Sequence, residues 1–146
     1  MTTRPEMTAQ DHARAALEFL EHSDREFAAG DTMQGSEKLW GAASHAVTAI
    51  AKQRGWRTGE GWDRRTPAGM VVWGDVFDVY SHRVAAVKRL AEEYNDPSLA
   101  PSYGLANKFH ANFYYDFMED EVIEQEGPFV HAFVHRILSM MEAPAS

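Results

Sequence analysis

Apolar residues in this chain recur at three- and four-residue spacing, and no stretch alternates apolar with polar side chains as a strand would. A spacing near 3.6 marks amphipathic helices, whereas a half-buried strand needs a period of two. The helical runs are interrupted where helices are hard to continue: Gly30-Asp31, Gly55, Asn95-Asp96-Pro97 and Gly127-Pro128. The pattern predicts helices over about residues 8–29, 31–54, 67–94 and 102–125, with a further one after Pro128. The expected fold is all-α: an antiparallel four-helix up-and-down bundle with a short additional C-terminal helix, in a single domain over residues 1–146.

Each predicted helix carries an apolar stripe. The first has Ala13, Ala16, Leu17, Leu20 and Phe27, and Gly30 ends it. Asp31 is placed to cap the second helix. That helix turns Leu39, Ala43, Ala46, Val47 and Ile50 inward, and a second ridge of Gly35, Ala42 and Ala49 permits close approach by a neighbour. The third, opened by Pro67, carries Val72, Val76, Val79, Tyr80, Val87, Leu90 and Tyr94. The fourth is aromatic on several faces, with Phe109, Phe113, Tyr114, Tyr115 and Phe117. One bundle core covers only part of such a helix, so helix 4, with helix 3, is expected to contribute to a two-fold dimer interface. The last helix presents Phe129, Val130, Phe133, Val134, Ile137, Leu138 and Met141.

Composition removes several function classes. The chain has no cysteine, so thiolate metal sites, disulfides and cysteine nucleophiles are excluded. No apolar run is long enough to span a membrane. The first residues, Met1 to Glu6, show no apolar leader segment, and the expected location is cytoplasmic. The net charge of −8 opposes nonspecific nucleic-acid binding. That charge is uneven. Lys52, Arg54, Arg57, Arg64 and Arg65 crowd a loop with Trp56 and Trp62, a combination suited to a nucleotide or single-stranded RNA, or to a loop packed on the core or a second subunit. Asp116, Glu119, Asp120, Glu121, Glu124 and Glu126 form a stretch with no base inside it.

Two segments carry a family likeness. Gly30 to Val47 has a Gly-Asp turn, a Ser36-Glu37-Lys38 step and Trp40 before an alanine-rich stretch. Phe109-His110-Ala111-Asn112-Phe113-Tyr114 places His and Asn before an aromatic pair. In this order they resemble HEPN-type proteins, particularly the PaREP1-like branch, over about residues 8 to 140. The resemblance implies a mostly antiparallel helical bundle, often a homodimer. Some HEPN families are metal-independent ribonucleases that use an Arg followed at short spacing by a His. Here Arg4 and His12, and Arg14 and His22, are each separated by seven residues, and no other Arg precedes a His more closely. The ribonuclease pattern is absent.

The candidate ligand-binding residues are Lys38, His45, Arg83, His110, Asn112 and Tyr114. Arg83 falls inside the apolar stripe of helix 3, where a guanidinium needs a carboxylate or several acceptors. An internal or subunit-bridging pair with Asp116 or Asp120 is one reading, and an anchor for a phosphate or carboxylate ligand is another. His45 sits among small neighbours on helix 2, and His110 at the edge of the helix 4 stripe near Tyr114. Each fits either a hydrogen-bonded core histidine or an acid–base group. His131 and His135, and Asp78 and His82, have metal-clasping spacing but no third ligand, so no metal and no cofactor is expected. The function expected from these readings is a noncatalytic HEPN-like dimeric protein that binds a nucleotide, RNA or protein partner. The alternatives are a divergent metal-independent ribonuclease working through His45 or His110, and a structural or antitoxin-like partner subunit.

Overall fold

The computed structural model describes residues 7–56 and 80–142. These form five helices and no strand: α1 (Ala9–Ala28), α2 (Thr32–Gln53), α3 (Tyr80–Glu93), α4 (Leu99–Tyr115) and α5 (Asp120–Glu142). The all-α expectation holds for them. The predicted start of the third helix at Pro67, the loop residues Arg57, Trp62, Arg64 and Arg65, and Asp78 lie outside the described residues.

Local chemistry sets the first two helices. Thr8 and Asp11 close a capping box at the start of α1, each bonding the other's backbone N–H. Gly30, at φ 84°, takes the left-handed turn after α1. Asp31 then caps α2 by accepting from the Gln34 N–H at 3.0 Å. Contacts run in opposite sense along the two helices, from Met7 with Lys52 through His12 with His45 to Ser23 with Gly35. They are therefore antiparallel. Phe27 of α1 lies so close to Gly35 that a Cβ there would meet its ring at 2.6 Å. Leu17, expected on the buried stripe, is 45% exposed instead. The buried line of α1 is Ala16, Leu20 and Ser23, and Leu17 is rotated about 100° from Ala16.

α2 is the centre of the bundle and touches all four other helices. Leu39, Ala43, Ala46, Val47 and Ile50 are buried, and so is the small ridge of Gly35, Ala42 and Ala49. α4 runs antiparallel to α2, with Ser36 against Asn112, Glu37 against His110 and Ser44 against Tyr103. α3 runs the same way as α2: Trp40 meets Tyr80 and Arg83, and Arg54 meets Glu93. The expected strict alternation of direction therefore does not describe these two neighbours.

The boundary between the last two helices differs from the sequence expectation. The fourth helix was expected to continue to residue 125 and to break at Gly127-Pro128. α4 stops at Tyr115, Asp116 adopts a left-handed conformation at φ 45°, and α5 runs unbroken through Pro128. Two causes are visible. The buried stripe Ile123, Gly127, Val130, Val134 and Ile137 continues at helical spacing across the Gly-Pro step, while Pro128 is exposed. Asn112 also supplies a stop. Its Oδ1 accepts from the N–H groups of Phe117 and Met118 at 2.8 and 2.7 Å, and its Nδ2 donates to Ser36 Oγ at 3.0 Å. Phe129, expected on the inner face of the last helix, is 59% exposed.

Of the aromatics on the fourth helix and its following turn, Phe109 is buried and Phe113 half-buried, while Tyr114, Tyr115 and Phe117 face solvent. Met118 and Ile123 close the core beneath them.

Candidate functional site

One flank of α2, made of Glu37, Lys38, Gly41, Ser44 and His45, is half-buried between α1 on one side and α3 and α4 on the other. Its middle carries the small residues Gly41 and Ser44, and the Phe19 ring of α1 lies against Gly41. The residues around it form two connected groups.

The first group is polar and basic. His45 Nδ1 lies 2.9 Å from His12 Nδ1 of α1. Two such nitrogens bond only when one carries a proton and the other offers a lone pair. The His45 ring stacks on Phe19 at 5.2 Å, and Lys38 Nζ lies 5.2 Å from the centre of the same Phe19 ring. Arg83 is 9% exposed; its Nε donates to Tyr103 Oη at 2.8 Å and its guanidinium lies over Trp40. Tyr103 Oη is also 3.3 Å from Ser44 Oγ. Burial, and then the Arg83 charge, hold the His45 imidazole below its ordinary value of 6.5. Burial pushes the Tyr103 phenol up, although Arg83 and Ser44 pull the other way.

The second group is an aromatic ladder. Tyr80, Tyr103, Trp40 and His110 lie in sequence with ring centres 5.0 to 5.8 Å apart, and Tyr114 closes edge-on against His110 at 5.3 Å. Tyr80 and Tyr114 are exposed ends, and Tyr114 is 62% exposed. His110 Nδ1 is 3.0 Å from Glu37 Oε1.

Five of the six sequence candidates, Lys38, His45, Arg83, His110 and Tyr114, line this flank or its ladder. Asn112 is set apart, since its polar atoms serve the turn between α4 and α5. Asp116 and Asp120, considered as partners for Arg83, are both exposed, and the groups that Arg83 contacts include Tyr103 and Trp40. His131 contacts Asp24 at 3.0 Å, and His135 is exposed. Among the described residues no group of three metal-ligating side chains assembles. At the described edge of the basic loop, Arg54 pairs with Glu93 at 2.9 Å and with the Tyr94 hydroxyl, while Arg89 lies over Trp56 at 4.3 Å.

Sequence reasoning missed His12, Phe19, Glu37, Trp40 and Tyr103 as members of the site. His12 and Phe19 are seven residues apart and so share one side of α1, which was the available signal. Nothing local marks Tyr103, which reaches Arg83 only through the packing of α3 on α4.

The low proton affinity of His45 has a consequence for stability. Above pH 6.5 the imidazole is neutral in both folded and unfolded chains, and its native contacts are intact. As pH falls below 6.5 the unfolded chain takes up a proton first, so stability is lost progressively toward the folded-state value. Thermal melts from pH 8 to pH 5 should show this decline, and it should be smaller in His45→Gln. An identical slope in both proteins would contradict the assignment.

No helix among the described residues is long and apolar enough to cross a membrane. No curated protein and no solved structure matches the chain. The model of the Archaeal PaREP1/PaREP8 family matches residues 11–134, a span that includes most of α1, all of α2 with its flank, and most of α5. With a match over that much of its length, the chain belongs to the PaREP1/PaREP8 family.

Proposed function

We propose that this chain is a HEPN-like helical domain that dimerises and binds the phosphate and base of a nucleotide, free or within RNA, along the half-buried flank of α2. One observation carries the reading: four helices bring cationic side chains and an aromatic ladder to the same strip. Arg83, His45 and Lys38 suit a phosphate. The ladder ends at Tyr80 and Tyr114 suit a base, because stacking on an aromatic side chain is tolerant of base identity. The overall acidity of the chain fits binding at a confined site rather than along a basic surface.

Titration of an unstructured RNA oligonucleotide and of single nucleotides, followed by tryptophan fluorescence, tests this. Tyr114→Ala removes an exposed stacking surface and should weaken binding by about tenfold. Lys38→Glu should weaken it further and make its salt dependence shallower. A wild-type protein that binds no nucleotide or oligonucleotide would refute the proposal. The dimer is tested separately by sedimentation: the exposed aromatics Tyr115, Phe117 and Phe129 favour a second copy packed there, and a single 16.5 kDa species at all concentrations would contradict it.

A second reading has one observation in its favour. Glu37 holds His110 through Nδ1, which leaves Nε2 as the atom that would exchange a proton. A carboxylate that orients an imidazole is a usual device for proton transfer. It supports a divergent metal-independent ribonuclease. RNA incubated with wild-type protein and with His110→Ala decides: equal background in both eliminates His110 as a catalyst.

A further inference from the structure

The aromatic ladder is built from rings that can be oxidised, although packing alone does not call for them. Elsewhere the core takes its bulk from phenyl rings: Phe109 and Phe133 are buried, and Phe27 packs edge-on against Phe109. In the ladder the buried members are Trp40 and Tyr103. An indole or a phenol loses one electron far more readily than a phenyl ring. Each also brings a polar atom that is costly to bury without a partner.

Spacing makes the ladder continuous. The Trp40 ring centre lies 5.4 Å from that of Tyr103 and 5.9 Å from that of Tyr80, and Tyr103 lies 5.8 Å from Tyr80. On its other side Trp40 stacks on His110 at 5.0 Å, and His110 meets Tyr114 at 5.3 Å. All five separations fall in the range at which neighbouring aromatic rings touch. The two outer rings, Tyr80 and Tyr114, are exposed.

Proton placement sets the direction. A tyrosine gives up an electron easily only when its phenolic proton leaves with it. Tyr80 and Tyr114 can release that proton to water. Tyr103 is held differently: its Oη accepts from Arg83 Nε at 2.8 Å and lies 3.3 Å from the Ser44 hydroxyl, and neither group is a base. Burial also keeps the proton on the Tyr103 phenol. An electron vacancy at Trp40 is therefore filled from the exposed ends and does not settle on Tyr103.

The geometry points to a redox relay: the ladder carries a one-electron oxidising equivalent from Trp40 in the core to Tyr80 and Tyr114 at the surface. The co-reactant is a one-electron oxidant of the radical class. It takes an electron from Trp40 and leaves an indole radical cation. Tyr80 or Tyr114 returns an electron to Trp40 and releases its phenolic proton to water. The net reaction converts oxidant and tyrosine into reduced oxidant, tyrosyl radical and one proton, and Trp40 is restored. The relay needs only the ladder and does not depend on nucleotide binding.

Its test begins by making Trp40 the only tryptophan, with Trp56→Phe, Trp62→Phe and Trp73→Phe. An ultraviolet flash that tryptophan absorbs and tyrosine does not, given with an added electron acceptor, oxidises Trp40. Transient absorption then follows the indole and tyrosyl radicals by their separate bands. The expected result is first-order conversion of indole radical into tyrosyl radical, at a rate independent of protein concentration. Tyr80→Phe combined with Tyr114→Phe keeps both rings and should abolish the tyrosyl signal. Tyr94→Phe, outside the ladder, should leave it unchanged. An indole radical that decays without forming a tyrosyl radical overturns the relay, and so does an undiminished signal in the double variant. Should the one-tryptophan protein fail to fold, the wild-type chain is flashed with a nitroso spin trap and the adducts are located by peptide mass spectrometry. Adducts on Tyr80 and Tyr114 that disappear in Trp40→Phe support the relay. Adducts absent from both tyrosines, or persisting in that variant, overturn it.

Discussion

Asn112→Ala should destabilise the protein by about 3 kcal/mol, more than most single substitutions, although it removes only a small polar group. The thermal midpoint should fall by about 6–12 °C. Asn112 is fully buried, and its amide holds three partners: the N–H groups of Phe117 and Met118 and the hydroxyl of Ser36. Alanine leaves the Met118 N–H buried without its acceptor, and an unsatisfied buried donor costs about 1–3 kcal/mol. It also leaves Asp116 in its left-handed conformation without the cap that supports it. Ser36 Oγ still donates to Thr32 O at 2.6 Å, so Ser36→Ala should cost less, about 1 kcal/mol. The two changes should be strongly non-additive. An Asn112→Ala melt within 2 °C of wild type would show that the turn between α4 and α5 is held by something else.

The second large effect is expected at Gly35, where Gly35→Ala should destabilise by about 2 kcal/mol despite the better helix propensity of alanine. The new Cβ would lie 2.6 to 2.8 Å from three ring atoms of Phe27, including Cγ at the root of the ring. Phe27 cannot relieve this by moving only its tip, and it packs edge-on against Phe109 of α4. The same approach of α1 to α2 lets Ser23 Oγ donate to the Gly35 carbonyl at 2.8 Å. Forcing the helices apart therefore strains packing and a buried hydrogen bond together. Gly104→Ala provides the comparison, because a Cβ at Gly104 meets nothing within 4 Å. It should be neutral or stabilising by about 1 kcal/mol. Equal effects at the two glycines would refute the close-approach argument.

Helix identity and the inner faces of α2 were legible in the sequence because they depend on short-range periodicity and on caps such as Asp31. The end of α4 was not. Its stop is a side chain that bonds residues five and six positions onward, and Asn112 gives no sign of that in a linear reading. The Gly127-Pro128 pair looked like a break, but proline removes a bond without ending a helix when its ring is on the solvent side and the apolar stripe continues. Direction along α3 was also hidden, since apolar spacing says which face is buried and not which way a helix runs. In the site, His45, Arg83 and His110 stood out as polar groups on apolar or aromatic helices. Of their neighbours, His12 and Phe19 shared one side of α1, whereas Tyr103 became visible only through the packing of α3 on α4.

The most direct test of the binding account is to follow the imidazole resonances of all seven histidines by NMR while a nucleoside 5′-monophosphate is added. Binding along the flank of α2 predicts saturable shifts at His12, His45 and His110, with His131 and His135 unchanged. No shift at any histidine, or shifts confined to His131 and His135, would contradict it.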